Sequence, residues 1–317
     1  MSSGHVLALC GGVGGAKLAF GLTRLLGPDE LTIVVNTGDD FEHLGLAISP
    51  DIDTVAYTLS GLADPVRGWG RRDESWNFMA ALSALGGENW FNLGDRDLAL
   101  HVERTRRLAA GESLSEVTSA LTGAMGIAHP VVPMSDLPVR TMVDTQQGEL
   151  AFQTYFVREQ CRPVATGVRY AGAAEAKLSP GFAEALARTD LRAVVYCPSN
   201  PYLSLGPILA LPGVRDRLQV LAGRAVAVSP IIGGRALKGP AAKMMAELGV
   251  EPGVEALAAH YDGLITGLVI DREDAPAEPA LRAQGVNVLA TQAIMHDDDD
   301  RVRLARVTLD LAERCGG

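Results

Sequence analysis

Cysteine is scarce in this sequence, and long apolar runs are missing. The 317 residues include four cysteines, which are far apart and form no C-x-x-C pair: Cys10, Cys161, Cys197 and Cys315. This pattern argues against a disulfide framework or a zinc site and suits reduced thiols. No apolar run approaches the roughly 18 residues of a membrane span. The N-terminus has no basic segment followed by a long apolar core, so we expect no signal peptide. These absences predict a cytoplasmic protein without a membrane partner.

Basic residues are also fewer than acidic ones. The chain has 28 Lys and Arg against 38 Asp and Glu, for a net charge of −10. Because nucleic-acid phosphates require clustered Lys and Arg, we expect no nucleic-acid partner. A small phosphorylated substrate stays compatible, since it needs only local positive charge or a metal ion. The hydrophobic content of 47% is ordinary for a globular protein, and we assign residues 1–317 to a single α/β domain.

The glycine-rich segment Gly11 to Lys17 lies between an apolar run and a stretch with helical periodicity. The run Val6 to Cys10 predicts a buried strand, and the spacing from Leu18 to Leu26 predicts a helix. This arrangement can place backbone N–H groups against a phosphate. The candidate contacts are Gly11, Gly12, Gly14, Gly15 and Lys17. Lys17 replaces the third glycine of the dinucleotide fingerprint, and the P-loop pattern is absent too. The segment is therefore either a tight turn without a ligand or the phosphate loop of another α/β family.

Acidic residues follow the second predicted strand, Leu31 to Val35. Ligands of open α/β sheets collect at the carboxyl ends of the strands, although Asp is also common in turns and caps. The candidate contacts here are Asn36, Thr37 and Asp39, with Asp40 directly after them. The segment Pro50 to Thr54 then precedes a helical run, where Asp51 or Asp53 can cap the helix.

Two later apolar runs, Ala193 to Cys197 and Ala225 to Val228, also end in loops of small and polar residues. The candidate contacts in these loops are Ser199, Asn200, Ser229 and Gly233, with Lys238 and Lys243 nearby. Such loops at separate strand ends suggest a nucleotide held across a crevice of the sheet. Further strands are expected over Gly267 to Asp271 and Val286 to Leu289. The acidic run Asp297 to Asp300 is interpreted as a solvated helix cap.

Residues 64–135 change pattern and contain the three tryptophans, Trp69, Trp76 and Trp90. Their helical periodicity predicts an insertion that covers the active-site edge of the sheet. Within it, Arg96 can bind a phosphate or a carboxylate through its planar guanidinium. The same segment is equally well explained as a turn at Gly94 with Asp95 or Asp97 capping the next helix.

The two histidines in this region, His101 and His129, have no metal-like spacing and are interpreted as surface or core residues. After the insertion, the alternation from Thr141 to Val157 around a glycine turn predicts a β-hairpin.

Taken together, these motifs resemble the 2-phospho-L-lactate transferase family of coenzyme F-420 biosynthesis, over nearly the whole chain. No single motif is specific, but the ordered set is. The matching segments are Gly11 to Lys17, Asn36 to Asp40, Pro50 to Thr54, Gly68 to Gly70, Leu93 to Asp97, Pro198 to Pro201, Ser204 to Ile208 and Ser229 to Gly233.

The resemblance implies a Rossmann-like, mostly parallel sheet with helices on both faces, often in a homodimer. It implies an Mg²⁺-dependent enzyme that uses a guanosine diphosphate conjugate of a three-carbon acid. The phospholactyl, phosphoenolpyruvyl or phosphoglyceryl group would pass to the ribityl hydroxyl of 7,8-didemethyl-8-hydroxy-5-deazariboflavin (Fo), with release of GMP. The family's metal-binding aspartate falls on Asp39. The acid of its Pro-Asp-x-Asp motif, near metal and Fo, falls on Asp53. Some members place a lysine where this chain has Asn92, at a position that contacts Fo.

A magnesium cofactor is consistent with the acidic composition, because carboxylates that bind Mg²⁺ allow an acidic protein to bind a negatively charged diphosphate. Two other interpretations stay open: a non-enzymatic regulatory protein of a related fold that binds nucleotide sugars, and a nicotinamide dehydrogenase. The Pro-Asp-Ile-Asp-Thr and Gly-Asp-Arg-Asp motifs favour the transferase over the first, and the missing loop glycine disfavours the second. No residue identifies the three-carbon acid or a general base.

Overall fold

One seven-stranded sheet brings the polar loops of the sequence together. The computed structural model describes residues 4–236 and 240–316, so Lys238 lies outside the described residues. The strands are β1 His5–Cys10, β2 Leu31–Val35, β3 Phe41–His43, β4 Leu46–Ile48, β5 Val131–Pro133, β6 Arg140–Thr145, β7 Gly148–Ala151, β8 Ala165–Ala171, β9 Leu191–Tyr196, β10 Ala225–Val228, β11 Ile231–Ile232, β12 Arg235–Ala236, β13 Gly267–Asp271 and β14 Asn287–Thr291. The helices are α1 Gly12–Thr23, α2 Pro50–Leu59, α3 Asn77–Ala84, α4 Asp95–Ala109, α5 Leu114–Ala124, α6 Pro180–Ala187, α7 Gly206–Leu209, α8 Val214–Val220, α9 Ala241–Glu247, α10 Val254–His260, α11 Glu278–Ala283 and α12 Asp298–Gly316.

The main sheet has the strand order β14-β13-β10-β9-β1-β2-β5, and its strands pair in parallel. A separate antiparallel sheet has the order β7-β6-β8. This arrangement confirms the α/β class, the parallel sheet and the β-hairpin. All four cysteines are free thiols. Within the described residues, no helix is long and apolar enough to cross a membrane.

Both faces of the main sheet are covered, because successive residues of a strand point to opposite faces. Leu7 of β1 packs into an apolar cluster with residues of α6, α8, α10 and α11. Ala8 packs into a second cluster, with residues of α1, α2 and α12. Burial on both faces explains why the strands are continuous apolar runs rather than alternating ones.

The parallel sheet also positions the predicted loops. Because β1, β2, β9 and β10 are parallel neighbours, the segments that follow them leave the same edge of the sheet. The glycine-rich segment after β1 and the segment Ser229 to Gly233 after β10 therefore share that edge, as the sequence predicts.

Two boundaries differ from the predictions. The helix α1 begins at Gly12, so most of the glycine segment forms its first turns rather than a loop before it. The second hairpin strand ends at Ala151, because Thr154–Arg158 adopts a π-helical turn. The segment 64–135 supplies α3, α4 and α5, and it ends in β5, which pairs with β2 in the main sheet.

Candidate active site

A cavity of about 790 Å³ opens at the carboxyl edge of the main sheet, between the strand-end loops and the insertion. Ten of the residues predicted from the sequence line it: Gly11, Gly12, Gly14, Lys17, Asp39, Asp53, Asn92, Ser199, Asn200 and Ser229. These residues are far apart along the chain, so their convergence identifies this cavity as the candidate active site.

The other five predicted residues do not line the cavity. Gly15, Asn36 and Thr37 are buried behind it, while Arg96 and Gly233 are exposed. Asn36 has an indirect place in the site, because its Nδ2 donates to Asp51 Oδ2 at 2.9 Å. The N–H of Gly233 donates to the carboxylate of Asp274 at 3.0 Å.

The glycine segment is tightly packed against the loop after β9. A Cβ at Gly14 would lie 2.3 Å from the carbonyl oxygen of Pro198, so only glycine fits there. Gly12 has φ of +63°, a conformation that glycine adopts readily. Its N–H donates to Asp51 Oδ1 at 2.8 Å. Asp51 thus places a carboxylate at the N-terminus of α1, where the helix dipole favours negative charge.

Three buried carboxylates lie close to the end of β2: Asp39, Asp40 and Asp51. Asp39 is buried, and its Oδ1 has no hydrogen-bond partner. Burial and the negative charge of Asp51 raise the pKa of Asp39 well above its usual range. Burial also raises the pKa of Asp51 to about 6 and that of Asp40 to about 7. A cation beside Asp39 and Asp51 would relieve this cost.

Asp53 has a different environment. It forms an ion pair with Arg104 of α4, which is almost fully buried. His101 Nδ1 lies 3.7 Å from Asp53 Oδ2, and His101 Nε2 lies 3.2 Å from Asp97 Oδ2. Tyr57 Oη donates to Asp97 Oδ1 at 2.5 Å. We call these five residues the α4 network; it joins α2 to the insertion.

The prediction that Asp51 or Asp53 caps α2 is wrong. The N-cap residue of α2 is Ser49, and the side chains of both aspartates point to partners in other elements. The first turn of α4 is capped by Glu74, whose carboxylate accepts from the N–H groups of Arg96 and Asp97. Asp95 accepts from the N–H groups of Asn77 and Phe78 at the start of α3. It therefore caps the preceding helix rather than the following one, α4.

The donor set fits Mg²⁺ at Asp39 and Asp51 better than at Asp53. The unpartnered Oδ1 of Asp39 and the nearby carboxylate of Asp51 supply oxygen ligands and uncompensated charge. The charge of Asp53 is already balanced by Arg104. Within the described part of the chain, no cluster of three or more His, Cys, Asp or Glu could hold a metal. Mg²⁺ commonly needs only one or two carboxylates, together with substrate phosphates and water.

Two lysines that the sequence places near the ligand, Lys17 and Lys243, each contact other protein groups. Lys17 lines the cavity, and its Nζ donates to the carbonyl of Met295 at 2.8 Å. Lys243 does not line the cavity, and its Nζ donates to Tyr155 Oη at 3.2 Å.

The acidic run before α12 caps that helix as predicted, with Asp297 Oδ1 accepting from the N–H of Asp300 at 2.9 Å.

Of the three tryptophans, Trp69 lines the cavity. Trp76 lies under the guanidinium of Arg67, and Trp90 packs edge-on against His43 at 5.0 Å. The three rings therefore have different environments, although they are close in sequence.

Sequence reasoning missed several residues that line the cavity: Tyr57, Asp97, His101, Phe152 and Phe156. The α4 network has a usable signal, because Asp97, His101 and Arg104 are spaced i, i+4 and i+7 on one helix face. The phenylalanines follow a strand pattern and give no such signal.

The family model described as 2-phospho-L-lactate transferase CofD matches residues 6–309. A protein named phosphoenolpyruvate transferase from Kitasatospora aureofaciens is 42% identical over 317 residues, covering 98% of each chain. One of the same name from Mycolicibacterium smegmatis is 38% identical and covers 97% of this chain and 98% of its own. A crystal structure of a UPF0052 family member from Bacillus halodurans aligns over 98% of this chain and 99% of that one, with a TM-score of 0.64 and 15% identity. That last likeness concerns the fold alone.

Proposed function

The chain belongs to the 2-phospho-L-lactate transferase family and is a transferase of coenzyme F-420 biosynthesis, and from this premise we propose its substrates. The donor is a guanosine diphosphate conjugate of a three-carbon acid, the acceptor is Fo, and GMP is released. We further propose enolpyruvate as the acid, because relatives at 38 to 42% identity are named phosphoenolpyruvate transferases. Mg²⁺ is the proposed cofactor.

The observation that carries the proposal is a cavity with two chemically different sides. The strand-end side has the glycine segment, Ser199 and Ser229, which suit a phosphorylated nucleotide. The insertion side has Asn92, Trp69 and members of the α4 network, which suit a polar acceptor with an aromatic ring. A transferase must bind both substrates next to each other, and one continuous cavity permits this.

In the proposed reaction, the ribityl hydroxyl of Fo attacks the phosphorus nearer the three-carbon acid. A new P–O bond forms to Fo, and the hydroxyl proton passes to solvent. The bond from the attacked phosphorus to the bridging oxygen breaks, and that oxygen leaves with GMP. When bound, Mg²⁺ would supply charge neutralisation for the diphosphate. Asp39 and Asp51 are the residues that would hold it. The glycine segment orients the diphosphate through close backbone approach, and the insertion keeps water away from the acceptor hydroxyl.

The decisive test incubates the purified protein with Fo, Mg²⁺ and either the enolpyruvyl or the lactyl conjugate of guanosine diphosphate. Mass spectrometry should find the enolpyruvyl phosphodiester of Fo, with one GMP released per product. Preferential turnover of the lactyl conjugate would contradict the choice of acid. Binding of nucleotides without transfer to Fo, by folded protein with Mg²⁺, would overturn the proposal and favour the regulatory alternative.

A further inference from the structure

Two stacked phenylalanine rings line the cavity in addition to the glycine segment and the acids. Phe152 and Phe156 both line the cavity. Their ring centroids are 5.4 Å apart and their planes differ by 12°. Phe152 is buried, whereas Phe156 is 39% exposed. A large apolar ring that stays exposed inside a cavity marks a place where a ligand can bury it.

The backbone that carries Phe156 has an unusual shape. Thr154–Arg158 is a π-helical turn, a rare structure that often occurs at functional sites. It is followed by two non-glycine residues with left-handed backbone, Gln160 at φ +53° and Cys161 at φ +55°. Such conformations cost about 1–3 kcal/mol each and persist only where the surroundings enforce them. The surroundings therefore hold the backbone directly after the turn in a strained conformation.

Packing behind the turn fixes this conformation. Tyr155 is fully buried, and its Oη accepts a hydrogen bond from Lys243 Nζ at 3.2 Å. Phe152 and Tyr155 share an apolar cluster with Leu203, Met244 and Val143. Phe152 and Tyr155 thus anchor the turn in the apolar cluster, while Phe156 lines the cavity with its ring stacked on that of Phe152.

We propose that the Phe152–Phe156 stack binds the planar heteroaromatic ring of a substrate by face-to-face contact. The inference rests on the proposed function, in which both substrates carry such a ring: the tricyclic deazaflavin of Fo and the guanine of the donor. Stacking requires a flat apolar surface and no hydrogen-bond partner, which is what Phe156 offers. The stack is a binding element and takes no part in bond making.

The test replaces Phe156 by alanine and measures two affinities: Fo by its own fluorescence, and GDP by calorimetry. Loss of one base–aromatic stack should weaken binding of the stacked substrate roughly 5- to 150-fold. Its KM should rise by a similar factor, with kcat nearly unchanged. Weaker Fo binding alone identifies the deazaflavin as the stacked ring, and weaker GDP binding alone identifies the guanine.

Two further variants separate stacking from general damage. Phe156→Tyr keeps the aromatic face and should retain wild-type affinity for both compounds. Val220→Ala removes a side chain that is 75% exposed on α8 and should change neither affinity. If Phe156→Ala is folded by thermal unfolding and binds both compounds like the wild type, the inference is overturned. If the wild-type protein itself binds neither compound, the proposed function fails and the inference fails with it.

Discussion

Asp39 has a buried carboxylate oxygen without a hydrogen-bond partner, next to a second buried carboxylate, Asp51. Burying an uncompensated charge is costly, so such a group either takes up a proton or binds a cation. Burial, followed by the charge of Asp51, raises the pKa of Asp39. In a diphosphate-binding site the cation is the more useful solution, because it also neutralises the substrate.

Asp39→Asn should therefore lower the transfer rate by roughly 100-fold or more, since an amide keeps the shape but loses the charge that the cation needs. The initial rate is measured over a range of Mg²⁺ concentrations, and high Mg²⁺ should restore part of the activity. Unchanged thermal unfolding would show that the variant is folded. A rate near that of the wild type under limiting Mg²⁺ would mean that Asp39 is not a metal ligand.

The buried ion pair of Asp53 and Arg104 should contribute to the stability of the folded protein. Removing one member of a buried ion pair leaves the other charge unpaired, which costs about 3–5 kcal/mol. Arg104→Met and Asp53→Asn should each lower the free energy of unfolding by about this amount, as measured by denaturant titration. The double variant should recover much of the loss, since it leaves no unpaired charge.

The same variants separate the two roles proposed for Asp53. If Asp53 only pairs with Arg104, Asp53→Asn should leave the Mg²⁺ dependence of the rate unchanged. If it is a metal ligand, as the family resemblance implies, the Mg²⁺ concentration needed for half-maximal rate should rise. Asp51→Asn is the matched comparison, because it changes a neighbouring acid on α2 that faces Asp39.

At the scale of elements, α4 connects the insertion to the site, because His101 and Arg104 reach Asp53 on α2. Helical periodicity predicts the helix, and the spacing of Asp97, His101 and Arg104 places them on one face. Which partner that face contacts depends on the path of the chain between α2 and α4. Sequence spacing therefore gives the face but not Asp53 as its partner.

Strand ends are the part of the site that the sequence predicts best. Apolar runs buried on both faces are easily recognised, and in a parallel sheet their carboxyl ends must meet at one edge. Ser199, Asn200 and Ser229 line the cavity for this reason. Phe152 and Phe156 could not be found this way, because their alternating segment predicts a strand while tertiary packing around Tyr155 selects a π-helical turn.

Binding of Fo should change the tryptophan fluorescence of the insertion. All three tryptophans lie in it, but Trp69, which is 49% exposed, lines the cavity. Fo binding should therefore change mainly the emission of Trp69. Trp69→Phe should abolish most of the change in tryptophan emission that Fo causes, whereas Trp76→Phe and Trp90→Phe should preserve it. An equal response from all three variants, with binding shown independently, would place the deazaflavin away from Trp69.

At the scale of the whole molecule, the raised carboxylate pKa values link stability to pH. Asp40 and Asp51 have folded-state pKa values of about 7 and 6, against 3.8 as the ordinary value. Between about pH 4 and pH 7 the folded state binds more protons than the unfolded state. The free energy of unfolding therefore falls as pH rises through this window, by up to about 1.4 kcal/mol per unit of pKa shift for each group.

Histidines with lowered pKa values act in the opposite direction. Burial lowers the pKa of His5, His43 and His260. Below about pH 6.5 the unfolded state takes up protons at these side chains that the folded state does not, so their contribution to stability is lost as pH falls. The pH dependence of the free energy of unfolding of the wild-type protein therefore combines both effects. Comparing it with a carboxylate variant isolates the acids.

Asp40→Asn should make the protein more stable than the wild type at about pH 8 in the presence of a chelator, and should have little effect at about pH 4.5. An amide cannot ionise, and it can still accept the hydrogen bond that Ser49 Oγ donates to Asp40 Oδ2 at 2.8 Å. Denaturant unfolding at both pH values gives the difference. Mg²⁺ should stabilise the wild type more at pH 8 than at pH 4.5, because protons compete with the ion for the carboxylates of Asp39 and Asp51, whose pKa values are raised by burial. Asp39→Asn should lose this Mg²⁺ effect. An Mg²⁺ effect of equal size at both pH values would show that these buried carboxylates do not bind the ion.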